Sequence, residues 1–190
     1  ELSGDPLYNS YWGYQEGEKR NARIASTNIP ALFLNFHSNP NKRLSFTSGL
    51  MILKGKRSDS NLDWNDAFDP RPDYYQKLPS FIEYAPTKDS IASLWKSDES
   101  VRQINWTRMY QVNRSNLNTV YNINGGLDSI SGRQSQYIQF DRHADPTDIE
   151  HFLQIKYSLG KIKLSSTYRL EYAQKENYLE LLDLLGGDFY

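Results

Sequence analysis

Ile162-Lys163-Leu164-Ser165-Ser166-Thr167-Tyr168-Arg169-Leu170-Glu171-Tyr172 is the stretch that decides the fold class. Ile162, Leu164, Tyr168, Leu170 and Tyr172 alternate with Lys161, Lys163, Ser165, Thr167, Arg169 and Glu171, a two-residue period that an α-helix does not produce. Immediately upstream, Ile149, His151, Leu153, Ile155 and Tyr157 form a second row, and Leu159-Gly160 leaves room only for a tight turn, so the two segments read as a β-hairpin. Ser135 to His143 reads as a strand preceding it.

An earlier hairpin has the same grammar. Pro30, Leu32, Leu34 and Phe36 form an apolar row against Ala31, Asn35 and His37, with Phe33 interrupting the polar side. Asn39-Pro40-Asn41-Lys42 is the expected turn, and Leu44, Phe46, Leu50 and Ile52 then oppose Arg43, Ser45, Thr47 and Gly49. Pro30 has no N–H for a ladder bond and belongs at a strand start or a bulge. The two hairpins occupy 21–56 and 135–175. Their alternation fits two architectures: the half-buried sheet of a soluble β domain, or barrel strands with lipid on one side and water on the other.

The 190 residues amount to one domain, or one domain with a large insertion, at roughly 150 residues per domain. Hydrophobic residues make up only 38% and the mean hydropathy is -0.73, yet 14% are aromatic, Tyr contributing 14 residues. Lys and Arg (22) nearly cancel Asp and Glu (23), so the net charge supplies no field to hold a nucleic-acid backbone or an anionic membrane surface. The absence of cysteine excludes disulfides and thiolate chemistry. No run of apolar residues is long enough for a membrane helix, a test that transmembrane β-strands escape. The chain opens at Glu1 without Met or leader, which gives the expectation of a processed or excised piece.

From 59 to 134 the alternation stops, and the segment is far longer than the usual connection of about 4–6 residues. Ser97-Asp98-Glu99 is expected to cap a helix through Val101, Ile104, Met109 and Val112, with a shorter helical turn near Asp89. Asp59, Asn61, Asp63, Asn65, Asp66 and Asp69 resemble a cation loop. The EF-hand pattern fails, however, because Trp64 stands where Gly is needed and Pro70 where the bidentate Glu belongs. His37, His143 and His151 show no metal-ligand spacing. A carboxylate pair such as Asp73 and Glu83 has nothing to fix its separation, and no phosphate loop or nucleophile elbow occurs. The chain therefore reads as non-enzymatic, with no catalytic residue, metal or cofactor expected. What stands out is aromatic: Trp64, Phe68, Tyr74, Tyr75, Phe81, Tyr84, Trp95 and Trp106 crowd the insertion. Such rings suit sugar faces and interface rims, or else a small core of the insertion's own.

Four strings carry a resemblance: Tyr11-Trp12-Gly13-Tyr14-Gln15-Glu16-Gly17-Glu18-Lys19-Arg20-Asn21-Ala22-Arg23; Asp69-Pro70-Arg71-Pro72-Asp73-Tyr74-Tyr75 with Leu78-Pro79-Ser80; Trp95 with Asp98-Glu99-Ser100-Val101-Arg102-Gln103-Ile104-Asn105-Trp106; and Asp183-Leu184-Leu185-Gly186-Gly187-Asp188. In content and order they resemble the middle of the barrel of TonB-dependent outer-membrane receptors of the SusC/RagA-like kind. The resemblance implies an all-β-dominated antiparallel transmembrane barrel segment of about 4–6 strands, from a barrel of about 22, with a long, partly helical extracellular loop. Residues 1–190 would be a fragment of that barrel, 59–134 the external loop, and Asn39 to Lys42 and Leu159 to Lys161 periplasmic turns. The apolar rows would face outer-membrane lipid, with Tyr168 and Tyr172 in an interfacial girdle.

The implied activity is energy-coupled import of a nutrient such as a glycan or peptide across the Gram-negative outer membrane. Its partners would be the TonB complex, acting through a plug this chain does not contain, and a surface lipoprotein at the loop. The expected ligand-binding residues are Trp64, Tyr74, Tyr75, Trp95 and Trp106. Unpaired strand edges would invite self-association. The alternative is a soluble β-rich module that binds a carbohydrate or protein through the aromatic insertion.

Overall fold

A computed structural model describes residues 3, 4 and 6–190. The chain is mostly β. In order its elements are β1 (Trp12–Gln15), β2 (Glu18–Asn21), β3 (Ala25–Asn28), β4 (Ala31–Asn41), β5 (Leu44–Lys54), β6 (Lys56–Trp64), α1 (Ala85–Ser97), α2 (Trp106–Ser115), β7 (Leu117–Tyr121), β8 (Ser129–Arg133), β9 (Tyr137–Leu159) and β10 (Ile162–Asp183). They divide between two compact units, one made of 25–59 and 142–179, the other of 1–24, 60–141 and 180–190.

The first unit is an antiparallel sheet in which β4, β5, β9 and β10 lie side by side and β3 pairs with β6. Its outer strands β4 and β10 leave two edges open, so among the described residues the sheet does not close into a barrel. Leu32 stands opposite Ile52 and Leu34 opposite Leu50, while Ile52 also faces Ile149, Phe46 faces Ile155 and Leu44 faces Tyr157. In the last hairpin, Gln154 Nε2 reaches Thr167 Oγ1 at 3.4 Å and His143 stacks on Tyr178 at 4.3 Å, which sets Leu153 opposite Tyr168 and Ile149 opposite Tyr172. The apolar rows of four strands thus form one band on one face. It begins at Leu44, Tyr157 and Leu164 and ends level at Leu32, Ile52, Ile149 and Tyr172, with Lys54, Thr147 and Gln174 beyond. Four polar residues interrupt the band, Ser38, Ser48, His151 and Ser166, and two of them satisfy each other: Ser48 Oγ lies 3.0 Å from His151 Nε2. Tyr157 and Tyr172 occupy the two margins. Tyr168, expected in a girdle, falls inside the band because its register partner is Leu153 rather than a residue at the rim.

The opposite face carries Ser45, Thr47, Gln154 and Thr167, with Arg169 paired to Glu150 at 2.9 Å and to Glu171 at 3.6 Å. Gly49 is required here, because a Cβ would sit 2.2 Å from the Phe152 ring that covers it.

The first turn is shorter than expected, and the second has the expected tightness one residue further on. The first is Lys42-Arg43, since β4 runs on through a bulge between Ser38 and Asn41 that absorbs the donor-less Pro40, and Asn41 Oδ1 accepts the N–H groups of Arg43 (2.9 Å) and Leu44 (3.0 Å). The second is Gly160-Lys161, with Gly160 at φ 58°. The strand expected from Ser135 and the row from Ile149 are one strand, β9, of 23 residues. Pro146 is tolerated within it because Pro30, Gly55 and Pro146 meet at one irregular level: Lys54 N donates to Pro30 O (3.4 Å) and Gly55 N to Pro146 O (3.1 Å).

The second unit departs further from expectation. Strand β6 continues to Trp64, and 117–133 contains the β7–β8 hairpin, so the segment between long strands is 65–136 rather than 59–134. The helical turn expected near Asp89 is the 13-residue α1. Asp98 caps only a short 3-10 turn, Glu99–Arg102. Ile104 is drawn into extended backbone by its N–H bond to Trp12 O (2.9 Å), so α2 starts at Trp106, where Asn105 Oδ1 accepts from Arg108 N (2.8 Å).

Ala22, Ile104, Trp106, Met109, Tyr137 and Leu185 form the core of this unit. Asn113 locks it. Its side chain is wholly buried (0% exposed), Nδ2 donates to the carbonyls of Tyr137 (2.7 Å), Leu184 (2.8 Å) and Leu185 (3.2 Å), and Oδ1 accepts from Gln136 N (2.9 Å) and Tyr137 N (3.0 Å). Asn113→Leu removes the side-chain partner of five backbone groups, of which Leu184 O keeps the Ser135 hydroxyl at 2.6 Å, and is expected to lower the unfolding free energy by about 3 kcal/mol or more. Urea titration followed by Trp fluorescence measures this; a change below about 1 kcal/mol would remove Asn113 from its role as the lock.

Candidate functional site

The aromatic insertion lies in the unit containing 60–141, and its geometry starts at Asp69. Burial opposes ionisation of that carboxyl, yet Arg71 outweighs burial: its backbone N–H and Nε both reach Oδ1 at 2.9 Å, and its Nη2 closes on Oδ2. The Asp69 carboxyl is therefore held below the usual carboxylate range, and the same bonds raise the Arg71 pKa. Lys77 Nζ donates to Asp69 O (2.5 Å) and Arg71 O (3.0 Å), which fastens the loop, while burial pushes its own pKa down.

Fixed in this way, the Arg71 guanidinium lies 5.6 Å from the Trp64 ring and 6.0 Å from the Tyr74 ring. Tyr74 meets Tyr75 edge-on at 4.7 Å, and Tyr75 meets Phe81 edge-on at 5.2 Å. Trp64, Arg71, Tyr74, Tyr75 and Phe81 make a continuous strip, and Tyr75 and Phe81 are exposed. Beside it, a cavity of about 340 Å³ is lined by Phe68, Lys77, Arg108, Met109 and Tyr137 among others. Phe68 stands 89% exposed at its mouth, its carbonyl accepting from Tyr137 Oη at 2.7 Å. Rings with hydrogen-bonding groups at their margins can stack on a sugar or clasp an apolar peptide side chain.

The structure brings together three of the five expected ligand residues, Trp64, Tyr74 and Tyr75. The other two are corrected. Trp95 (3% exposed) packs edge-on against Tyr8 at 5.8 Å, and Trp106 (0%) lies under the Arg20 guanidinium at 4.2 Å while its Nε1 donates to Arg20 O at 3.3 Å. Indole rings with both faces occupied by protein offer nothing to a ligand. Reading by residue type missed Arg71, whose only signal was its place between two prolines and two aspartates. Among the described residues no group of three His, Asp or Glu converges to hold a metal ion.

The strings that carry the family resemblance meet in this unit. Arg20 Nη1 donates to Gln15 Oε1 (2.6 Å) and Tyr110 Oη (3.2 Å), and its Nη2 to Gln139 Oε1 (2.5 Å) and Asp183 Oδ2 (2.8 Å). Tyr110 Oη and Leu185 N also donate to Asp183, at 2.9 and 2.7 Å. Ser10 Oγ donates to Asp73 Oδ2 at 2.8 Å, and Tyr8 Oη to Arg102 O at 2.8 Å, a burial that pushes the Tyr8 phenol up to about 12. These residues act as scaffold. No protein-family model and no curated protein matches the chain.

Asp183 is governed as Asp69 is: burial works against its charge, but Arg20, Leu185 N–H and Tyr110 together hold the carboxyl below its ordinary range. A depressed folded-state pKa stabilises the fold above the unfolded-state value and is lost as pH falls through the folded one. Stability is therefore expected to be flat between about pH 7 and pH 5 and to fall below about pH 4. Asp69→Asn with Asp183→Asn is expected to be weaker at neutral pH and shallower in acid. Urea midpoints across pH check this, and an unchanged acid slope in the double variant contradicts it.

Proposed function

We propose that this chain is a barrel-wall and external-loop portion of a TonB-dependent outer-membrane receptor that takes up a nutrient such as a glycan or peptide. The level apolar band carries the reading. On β5 it runs from Leu44 to Ile52, eight steps of about 3.3 Å or roughly 26 Å, and an outer-membrane barrel wears an apolar belt about 25 Å tall. The 11-residue strands β4 and β5 fit the ~9–11 residues of a transmembrane strand. Two-residue turns join β4 to β5 and β9 to β10, and the 65–136 segment joins β6 to β9, lengths that fit short periplasmic turns and a long outer loop. Leaving the band in water would forfeit about 1 kcal/mol for each half-exposed large side chain, on the order of 10 kcal/mol in all, which favours lipid as its solvent.

In this reading the Trp64–Arg71–Tyr74–Tyr75–Phe81 strip is part of the ligand or lipoprotein contact surface, the polar face lines the lumen, and force arrives from the TonB complex through a plug supplied elsewhere. The reaction is transport, with no covalent step. The same exposed strip also suits the second reading, a soluble carbohydrate- or protein-binding module.

The chain has no cysteine, so single-cysteine scanning separates the two. With the protein in outer membranes, Leu50→Cys, Leu153→Cys and Leu170→Cys are expected to resist a water-soluble maleimide, while Thr47→Cys, Gln154→Cys and Thr167→Cys react. Equal labelling of both rows in a monodisperse, detergent-free protein would sink the receptor reading and favour the module.

A further inference from the structure

Where the band stops at the turn end, the chemistry changes abruptly. Residues 39–47 and 152–168 contain five cations, Lys42, Arg43, Lys156, Lys161 and Lys163, and no Asp or Glu. Because Leu44 is opposite Tyr157 and β10 begins at Ile162, both two-residue turns lie at this one end, and they carry three of the five. All five are exposed, and among the described residues none has a carboxylate partner. Arg169, further along β10, is by contrast already paired with Glu150 and Glu171. Lys42, Arg43, Lys156 and Lys163 also line a concave space of about 730 Å³.

On the band face, Leu44, Tyr157, Ile162 and Leu164 bring apolar surface right up to these cations, which is the order of chemistries met on leaving a bilayer: acyl chain, interfacial ring, phosphate. Long Lys and Arg stems can lie along the apolar margin with their charges in the headgroup layer, including those of Lys156 and Lys163 from the opposite face. We propose, building on the membrane reading above, that this turn end binds the phosphate headgroups of anionic phospholipid in the leaflet it faces. A lipid source rather than free phosphate is favoured because the cations are continuous with the apolar band, so one molecule can satisfy both.

Each cation near an anionic surface strengthens partitioning roughly fivefold. The test uses the full chain delivered from detergent to vesicles of phosphatidylcholine alone or of phosphatidylcholine and phosphatidylglycerol in equal parts. The wild type is expected to prefer the anionic vesicles. Lys42→Gln/Arg43→Gln/Lys161→Gln/Lys163→Gln is expected to lose that preference by about tenfold or more while partitioning into neutral vesicles as before. A Lys42→Arg/Lys161→Arg/Lys163→Arg variant keeps it, and circular dichroism confirms that both variants retain the sheet. Equal partitioning of the wild type into both vesicles, or a neutralised variant that still prefers the anionic ones, overturns the proposal and leaves the membrane reading standing. Displacement by inorganic phosphate beyond that by chloride at matched ionic strength assigns the site to free phosphate and overturns the lipid source. Failure to enter either vesicle overturns both readings.

Discussion

Register is the constraint on which the sheet depends. Side chains on a strand change face every residue, so the pairing of Ile52 with Leu32 and Ile149 is what puts the apolar rows together. A slip of one residue on any strand would turn its leucines toward Thr47 and Gln154 and bring lysines into the band. The devices that hold the pairing are local: a side-chain cap by Asn41 on one turn, a left-handed Gly160 in the other, and the Phe152 ring seated over Gly49. The Ser48–His151 contact lowers the polar cost the band would otherwise carry.

The other unit is held by a different kind of force. Its apolar core is small, and two polar side chains do the joining: Arg20, which gathers Gln15, Tyr110, Gln139 and Asp183, and Asn113, which satisfies five backbone groups at once. Hydrogen bonds in a water-poor setting are directional and costly to break, so they can position segments distant in sequence where a few leucines could not. This also explains why strings as far apart as 11–23, 98–106 and 183–188 read as distinctive: their unusual residues are the polar joints. The aromatic strip is exposed because this scaffold does not need it. Arg71 is already neutralised by Asp69, and its outer face is left for Trp64 and Tyr74.

Much of the sheet was legible in the residue order, and the reasons are local. Period-two alternation in 162–172 and 44–52 can be satisfied only by extended backbone with one apolar face. The turns were placed two residues early at Asn39–Lys42 and one early at Leu159, because bulges and side-chain caps depend on the partner strand. The insertion was harder. Asp98 does cap, but the helix it seemed to announce is displaced by the bond from Ile104 to Trp12, a residue some ninety positions away.

Taken alone, the sequence determined the strand faces, the two hairpins, the long aromatic insertion between them and the absence of thiol chemistry, since each follows from neighbours within a few residues. Only the tertiary structure decided that the four apolar rows end level, that five unpaired cations gather at the turn end, and that Trp95 and Trp106 are core while Trp64, Tyr74 and Tyr75 share a surface. The physical reason is that burial and electrostatic pairing are properties of what lies across the sheet or across the core, and nothing in the linear order of a tryptophan or a lysine records its distant neighbours.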